Sequence, residues 1–444
     1  MAPSHFLLVT YPAQGHVNPA LRFAHRLIRT TGARVTLATS LSIYHCSNIL
    51  NLDNVYNLSL LTFSDGYDDG VIPTAEDVQK RLLNLEHNGD KTLTEFIEAN
   101  RSGDSPVVCV IYTILPSWVP KLAHRCHLPS VLLWIQPALA FNLYYNHSTR
   151  TNSGFEFSNL LTLETRDLPS FLSPSNTSNT AQAVYLDLME CLKEKSNVKV
   201  LVNTFDSLEL EALTAIPNIE MVAVGPLLPP DVFTRSESVK YQSSYTLWLD
   251  SKAESSVIYV SFGTMVELSK KQIEELARAL IEWKTPFLWV ITDKSNREAK
   301  IEGEEETEIE KIADWYEVLR HRAVGCFLTH CGWSSTLESL VLGVPVVAFP
   351  MWSDQPTNAK LLEDLWRTGV RVRENEEGLV ERGEIRRCLE VVMDEKSVEL
   401  RENAEKWKRL AIKAGRERGL ADRNMEAFVD SLFSEAEEVK DKHI

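Results

Sequence analysis

Three stretches carry side chains whose types and spacing could do chemistry. The first is Tyr11-Pro12-Ala13-Gln14-Gly15-His16-Val17-Asn18-Pro19, directly after an apolar run near the start of the chain. Asn18 before Pro19 predicts a helix start, with Asn18 as N-cap and Pro19 as first helical residue. His16 would then lie just ahead of a helix N-terminus, whose positive dipole end disfavours imidazolium. A neutral histidine in a cleft is a competent general base near pH 7. The plainer reading is a turn histidine that caps backbone groups.

The second stretch runs from Gly325 to Gln355. A strand ending at His330, a glycine-containing turn and a helix beginning near Ser334 or Ser335 make an anion site suited to a pyrophosphate. Gly343 and Pro345 close that helix. His330 and the Ser335 hydroxyl can add donors, and Glu338, one turn inside, can chelate two ribose hydroxyls. Ser335-Thr336-Leu337-Glu338 also reads as a capping box, in which Glu338 merely reaches back to the helix start. Trp352-Ser353-Asp354-Gln355 offers two polar side chains to sugar hydroxyls, although an ordinary polar loop would look similar. Cys326, His330 and Cys331 lack a second ligand pair at zinc-site spacing, so no metal is assigned. The third stretch, Ser261-Phe262-Gly263-Thr264, combines a glycine for close backbone approach with a threonine hydroxyl. The chain has no Walker lysine loop, nucleophile elbow or Asp-x-Asp pair, which argues against a P-loop NTPase, an α/β-hydrolase and a metal-dependent glycosyltransferase.

These stretches need a scaffold, and the pattern of the chain predicts an α/β one. Near-continuous apolar runs suit parallel strands buried on both faces. In the first half they fall at Phe6–Tyr11, Arg34–Ala38, Leu58–Phe63, Val107–Tyr112, Ser130–Trp134, Lys199–Asn203 and Met221–Val224. In the second they fall at Val257–Ser261, Phe287–Thr292, Gly325–His330, Val344–Phe349 and Val370–Val372. Helical stretches such as Pro19–Thr30 and Ala75–Ala99 supply crossovers, giving two doubly wound domains in tandem. Pro226–Ser244 reads as the linker. Between Thr292 and Gly325 an inner strand is expected, yet Asp293–Asp314 has no apolar run to form it, which points to residues lost there. The acidic stretch Glu302–Glu310 reads as a solvated loop.

Composition narrows the function classes. The 444 residues are 44% hydrophobic and carry 46 Lys+Arg against 62 Asp+Glu, a net charge of −16. Without a basic cluster, nucleic acid and an anionic membrane surface are both poor partners. The seven cysteines follow no pairing pattern, as expected of reduced thiols in a cytoplasmic protein. No apolar window is long enough for a transmembrane helix, and the start of the chain does not read as an export signal.

The stretch HCGWSS…ES…GVP…P…DQ resembles the signature box of plant family 1 UDP-glycosyltransferases. PAQGHVNP and SFGT resemble that family too, so the likeness covers nearly the whole chain. Phe63-Ser64-Asp65-Gly66-Tyr67-Asp68-Asp69-Gly70 and Trp134-Ile135-Gln136-Pro137 are most similar to one branch. It contains crocetin and auxin glucose-ester formers, anthocyanin 5-O-glucosyltransferases and flavonoid glucosyltransferases.

The resemblance implies the GT-B fold, two Rossmann-like domains with a cleft between them. It implies residues 1–235 for the acceptor, 236–420 for the UDP-sugar, and 421–444 as a final helix, placed near Asn424–Phe433, returning to the first domain. His16 becomes the catalytic base, Thr264, His330 and Ser335 contact the donor phosphates, and Gly15 joins the donor-binding set. Glu338 takes the ribose, Asp354 and Gln355 take the sugar, and Trp333 lines the donor pocket by its backbone. Ser334 stands where many relatives have asparagine. Trp315 is the candidate for stacking on uracil, but the residues after it depart from the family's Trp-Cys-x-Gln, and the span to Gln355 is short. After the Val107–Tyr112 strand, where many relatives place an aspartate behind the histidine, this chain has Thr113.

The implied enzyme is a monomeric, metal-independent, inverting glucosyltransferase that needs no cofactor. UDP-glucose is its donor, and a carboxyl or phenolic hydroxyl of a small aromatic or apolar metabolite is its acceptor. Two other readings keep the fold: a UDP-sugar-binding protein whose turnover is impaired by the loss before Tyr316, and a UDP-sugar epimerase.

Overall fold

The computed structural model describes residues 3–46, 56–69, 78–147, 155–158, 161–173, 179–195, 197–233, 244–290, 315–394 and 397–441. Its strands are β1 (His5–Val9), β2 (Arg34–Ser40), β3 (Leu58–Phe63), β4 (Val107–Tyr112), β5 (Ser130–Trp134), β6 (Phe155–Ser158) and β7 (Leu161–Leu163). They continue with β8 (Val198–Val202), β9 (Ile219–Ala223), β10 (Val257–Ser261), β11 (Phe287–Trp289), β12 (Val324–Thr329), β13 (Val346–Ala348) and β14 (Gly369–Arg371). Two compact units result. One comprises Met1–Thr151, Ser175–Pro229 and Lys413–Ile444, and the other Asn152–Pro174 and Pro230–Ile412.

The first unit holds a seven-stranded sheet in the order β3-β2-β1-β4-β5-β8-β9. All its pairings are parallel. Its inner strand β1 is buried at every residue, as a sheet covered by helices on both faces requires. The second unit holds the order β11-β10-β12-β13-β14, again all parallel. Alternation along β10 sends Ile258 and Val260 into one core layer, with Cys326 and Leu328. Val257 and Tyr259 enter the other layer, with Phe327. These are the two Rossmann-like halves of the GT-B architecture. A short antiparallel hairpin, β6–β7, also belongs to the second unit and was not foreseen.

Three expectations change. The first helix runs Gln14–Thr31, so His16 lies in its first turn rather than ahead of it. Ala13 is the N-cap, Asn18 caps nothing at the helix start, and Pro19 sits inside. Proline's fixed φ suits a helix, and only one bond, to the Gly15 carbonyl, is lost. Burial of Val17, Ala20, Leu21, Ala24 and Leu27 along one face holds the helix across that gap. The last helix is longer than expected, Leu420–Asp441. Its Asp422 accepts from Arg29 at 2.8 and 2.9 Å and lies 3.5 Å from Arg26, pinning it to the first helix.

The third change concerns the lost strand. β10 pairs directly with β11 and β12, and β11 ends the order of described strands. The described strands of this sheet therefore pair in succession without an inner gap. Both the Asp293–Asp314 stretch and Glu302–Glu310 lie outside the described residues. Among the described residues, no helix is long and apolar enough to cross a membrane.

Candidate active site

Both sheets reverse direction beside their first strand, β1 against β4 and β10 against β12. Ligands of such sheets bind beyond the carboxyl ends of the strands at that switch point. His16, Thr113, Thr264 and His330 follow these ends, while Asp354 and Gln355 follow β13.

In the first unit β1 leads into Tyr11–His16 and β4 into Thr113. His16 is half-buried, and its Nδ1 is out of solvent with no hydrogen-bond partner among the described residues. Burial pushes its pKa down to about 4, so the ring is a neutral base at pH 7. Tyr11 packs edge-on against it, ring centres 5.4 Å apart. Thr113 turns elsewhere: its hydroxyl and that of Thr10 are 3.2 Å apart. Gly15 is exposed, with open space where a Cβ would be. A cavity of about 430 Å³, within the range of small-ligand sites, is lined by Thr10, Tyr11, Phe63 and Trp118 together with the polar Gln79, Glu86 and Asp187. A larger cavity in this unit, about 590 Å³, contains none of the expected site residues.

The sequence reading missed Arg81. It pairs with buried Asp65 at 2.7 Å, donates to the Pro12 carbonyl at 3.4 Å, and holds its guanidinium 5.5 Å from the Tyr11 ring centre. Ser42 completes the network by donating to Asp65 at 2.7 Å. Asp65 thus acts through Arg81 on the turn that carries His16. An arginine on a mixed-charge helix gives no sequence signal of that role.

In the second unit β10 leads into Ser261–Thr264 and β12 into His330–Gly332. The His330 ring is wedged between two glycines. A Cβ on Gly263 would come within 2.9 Å of the ring, and one on Gly332 within 2.6 Å. Gly263 also has φ of +69°. This close approach is what the SFGT glycine provides. Burial lowers the His330 pKa to about 4, against an opposing contact with the Ser261 backbone.

The helix after it is Trp333–Leu342, with Gly332 as N-cap and Gly343 closing it in the left-handed conformation. The first intrahelical bond is Thr336 N–H to the Gly332 carbonyl. Trp333, Ser334 and Ser335 therefore occupy the first turn, where backbone N–H groups face an incoming anion. Ser335 is not the N-cap, so the capping-box reading of Glu338 fails; Glu338 is buried one turn further in.

Gln355 opens the helix Gln355–Lys360, and its Oε1 accepts from the Met351 and Trp352 N–H groups at 2.8 and 3.0 Å. Asp354 is buried and accepts from Asn358 at 2.7 Å, while Asn358 also donates to the Cys331 carbonyl at 2.8 Å. Burial raises Asp354 to about 6 despite the Asn358 hydrogen bond. The phosphate-side turn and the Asp354 loop are thereby joined through one side chain. Trp315 opens the helix Trp315–Arg320, and its side chain lies outside the described residues.

Comparison with known proteins identifies the family. A family model described as "UDP-glucoronosyl and UDP-glucosyl transferase" matches residues 230–411. UDP-glycosyltransferase 75B2 of Arabidopsis thaliana is 74% identical over 455 residues, covering 98% of this chain and 100% of that protein. That alignment is longer than the 444-residue chain, so part of the relative has no counterpart here. Crocetin glucosyltransferase, chloroplastic, of Gardenia jasminoides is 45% identical over 465 residues, covering 96% and 97% of the two chains. Among solved structures, Os79 from O. sativa in complex with U2F and trichothecene superposes with a TM-score of 0.84. It is 28% identical, with 96% of this chain and 100% of that one covered. The chain belongs to the plant family 1 UDP-glycosyltransferases.

Proposed function

We propose that the chain transfers glucose from UDP-glucose, with inversion, to a carboxyl or phenolic oxygen of a small, largely apolar plant metabolite. The observation that carries this reading is His16, a neutral base at a strand end, next through Tyr11 to a cavity of mixed lining. In this reading the first unit takes the acceptor and the second takes the UDP-sugar. His16 removes the proton of a phenolic acceptor as its oxygen attacks the anomeric carbon. The bond from that carbon to the diphosphate breaks on the opposite face. Charge growing on the diphosphate is met by the first-turn N–H groups at Trp333–Ser335, with Thr264 and His330 adding donors. Glu338 takes the ribose hydroxyls, Asp354 and Gln355 the glucose hydroxyls, and Trp315 the uracil. Fixed dipoles do this without a metal ion. The protein works as a cytoplasmic monomer, and the residues without counterpart are placed before Tyr316.

The acceptor class is supported by the crocetin glucosyltransferase relative and by Thr113 standing where an aspartate would assist the base. The test is incubation with radiolabelled UDP-glucose and a panel of flavonoids and carboxylic acids, with and without EDTA. Transfer that survives EDTA is expected. No transfer to any acceptor, with UDP-glucose still bound, would mean a binding protein whose turnover was lost with the residues before Tyr316.

A further inference from the structure

The Asp354 loop is braced by a segment that lies almost two hundred residues earlier and belongs to the same unit. Ser170 and Ser353 exchange two hydrogen bonds. The Ser353 N–H donates to the Ser170 hydroxyl and the Ser170 N–H to the Ser353 carbonyl, each at 2.7 Å. Ser353 needs this support, because its φ of +60° is a left-handed conformation that serine rarely adopts. Phe171 sits edge-on to Trp352, ring centres 6.0 Å apart. Deeper in, buried Asp167 receives Arg371 at 2.7 Å and lies 3.6 Å from Lys360. The Asp167 carbonyl accepts from Thr357 at 2.7 Å, and Arg371 also donates to the Arg166 carbonyl at 3.0 Å. Thr357 and Lys360 are on the helix that Gln355 opens. The brace therefore grips both the loop that carries Asp354 and the helix that follows it.

We infer that Ser170 and the Asp167–Arg371 pair are positioning residues for the donor sugar. They hold Asp354 and Gln355 in the geometry that recognises the hexose, and they make no demand on the nucleotide. This rests on the reading of Asp354 and Gln355 as sugar contacts. The phosphate-side groups His330 and Ser335 take no hydrogen bond from the brace, so its loss should separate hexose recognition from nucleotide binding.

Calorimetric titration of the full chain with UDP-glucose and with UDP tests this, together with steady-state kinetics on a flavonol acceptor. Ser170→Ala removes the acceptor of the Ser353 N–H and should weaken UDP-glucose about five- to tenfold, leaving UDP within twofold. KM for UDP-glucose should rise more than kcat falls. Ser170→Thr keeps the hydroxyl and should bind UDP-glucose like the parent. Arg371→Lys, which cannot span Asp167 and the Arg166 carbonyl together, should weaken the same ligand in the same direction. Equal weakening of UDP and UDP-glucose by Ser170→Ala, or a Thr variant as weak as the Ala one, overturns the inference. Gln355→Ala is the control. If it leaves UDP-glucose affinity unchanged, the sugar-contact reading itself fails. If it weakens UDP-glucose and Ser170→Ala does not, that reading stands and the brace has no such role.

Discussion

The turn that carries His16 and the loop that carries Asp354 solve opposite problems. His16 is held by packing, with its Nδ1 unpartnered among the described residues and a tyrosine ring at its edge, and burial further favours its neutral form. Asp354 and Gln355 are held by hydrogen bonds on several sides: Asn358 to Asp354, and the Met351 and Trp352 N–H groups to Gln355. A base must change its protonation state in each cycle, so a loosely bonded ring in an apolar setting serves it. In the role proposed for Asp354 and Gln355, discrimination between hexoses needs a fixed group, and the hydrogen bonds around them suit that. Burial shifts the two pKa values in opposite senses, histidine down and aspartate up, and each shift disfavours charge.

The largest effect should come from breaking the first region. His16→Ala is expected to lower kcat by roughly 10²–10⁴, the usual contribution of a general base. UDP-glucose binding, measured by titration, should be retained. Near-parental turnover on a phenolic acceptor would remove His16 from the mechanism.

The donor side should respond in binding instead. Glu338→Gln keeps the shape but not the charge, and is expected to weaken UDP-glucose roughly ten- to hundredfold, the range for a hydrogen bond to a charged group. Its melting temperature should change little, because Gly332 rather than Ser335 caps the helix. A fall in stability with donor KM unchanged would return Glu338 to a structural role.

A pH series sharpens the contrast further. Asp354, with its pKa raised to about 6, is ionised at pH 7 and mostly protonated at pH 5. KM for UDP-glucose should therefore rise roughly tenfold between those values if only the carboxylate takes the sugar hydroxyls. Asp354→Asn should flatten that dependence. In stability the signs oppose. His16, with its folded pKa lowered from 6.5 to about 4, withdraws stability as pH falls from 6.5 towards 4, because the unfolded chain binds the proton first. Asp354, raised from 3.8 to about 6, contributes most below 3.8 and loses that contribution as pH rises through 6. Comparing acid denaturation of His16→Gln and Asp354→Asn should show shifts of opposite sign.

The smallest effect concerns Thr113, whose hydroxyl is engaged with Thr10 and cannot offset charge on His16. Carboxylates, already ionised at pH 7, should be the better acceptors, then acidic phenols, then aliphatic alcohols. Thr113→Asp should improve alcohols a few-fold and carboxylates least. Equal kcat/KM across matched acceptors would show that Thr113 carries no such meaning.

Much of this was legible in the sequence where one residue type answers one local demand. Gly343 stops a helix, and apolar runs mark β1, β10 and β12, whereas the room that Gly263 and Gly332 make for His330 was not read there. Local capping signals misled where burial outweighed them. Asn18-Pro19 looks like a helix start, but the buried face from Val17 to Leu27 carries the helix through it. Ser335 to Glu338 looks like a capping box, yet the turn after β12 sets the N-cap three residues earlier, at Gly332. Arg81, Ser170 and Arg371 were invisible because their roles depend on partners far away in sequence.

The membership of residues 152–174 in the second unit, and of 413–444 in the first, bears on how the chain is made. A ribosome delivers Asp167 and Ser170 long before Ser353 and Arg371, and Arg26 long before Asp422. Neither unit can close on a nascent chain that ends short of its distant segment. The usual order, in which an amino-terminal domain folds while the next is still being synthesised, is therefore denied to it. Each closure spans a long loop, whose entropic cost grows only slowly with length, so the penalty falls on timing more than on final stability. A fragment starting at residue 230, where the family model begins to match, would lack the brace. A chain stopped before residue 420 would leave Arg26 buried without its carboxylate.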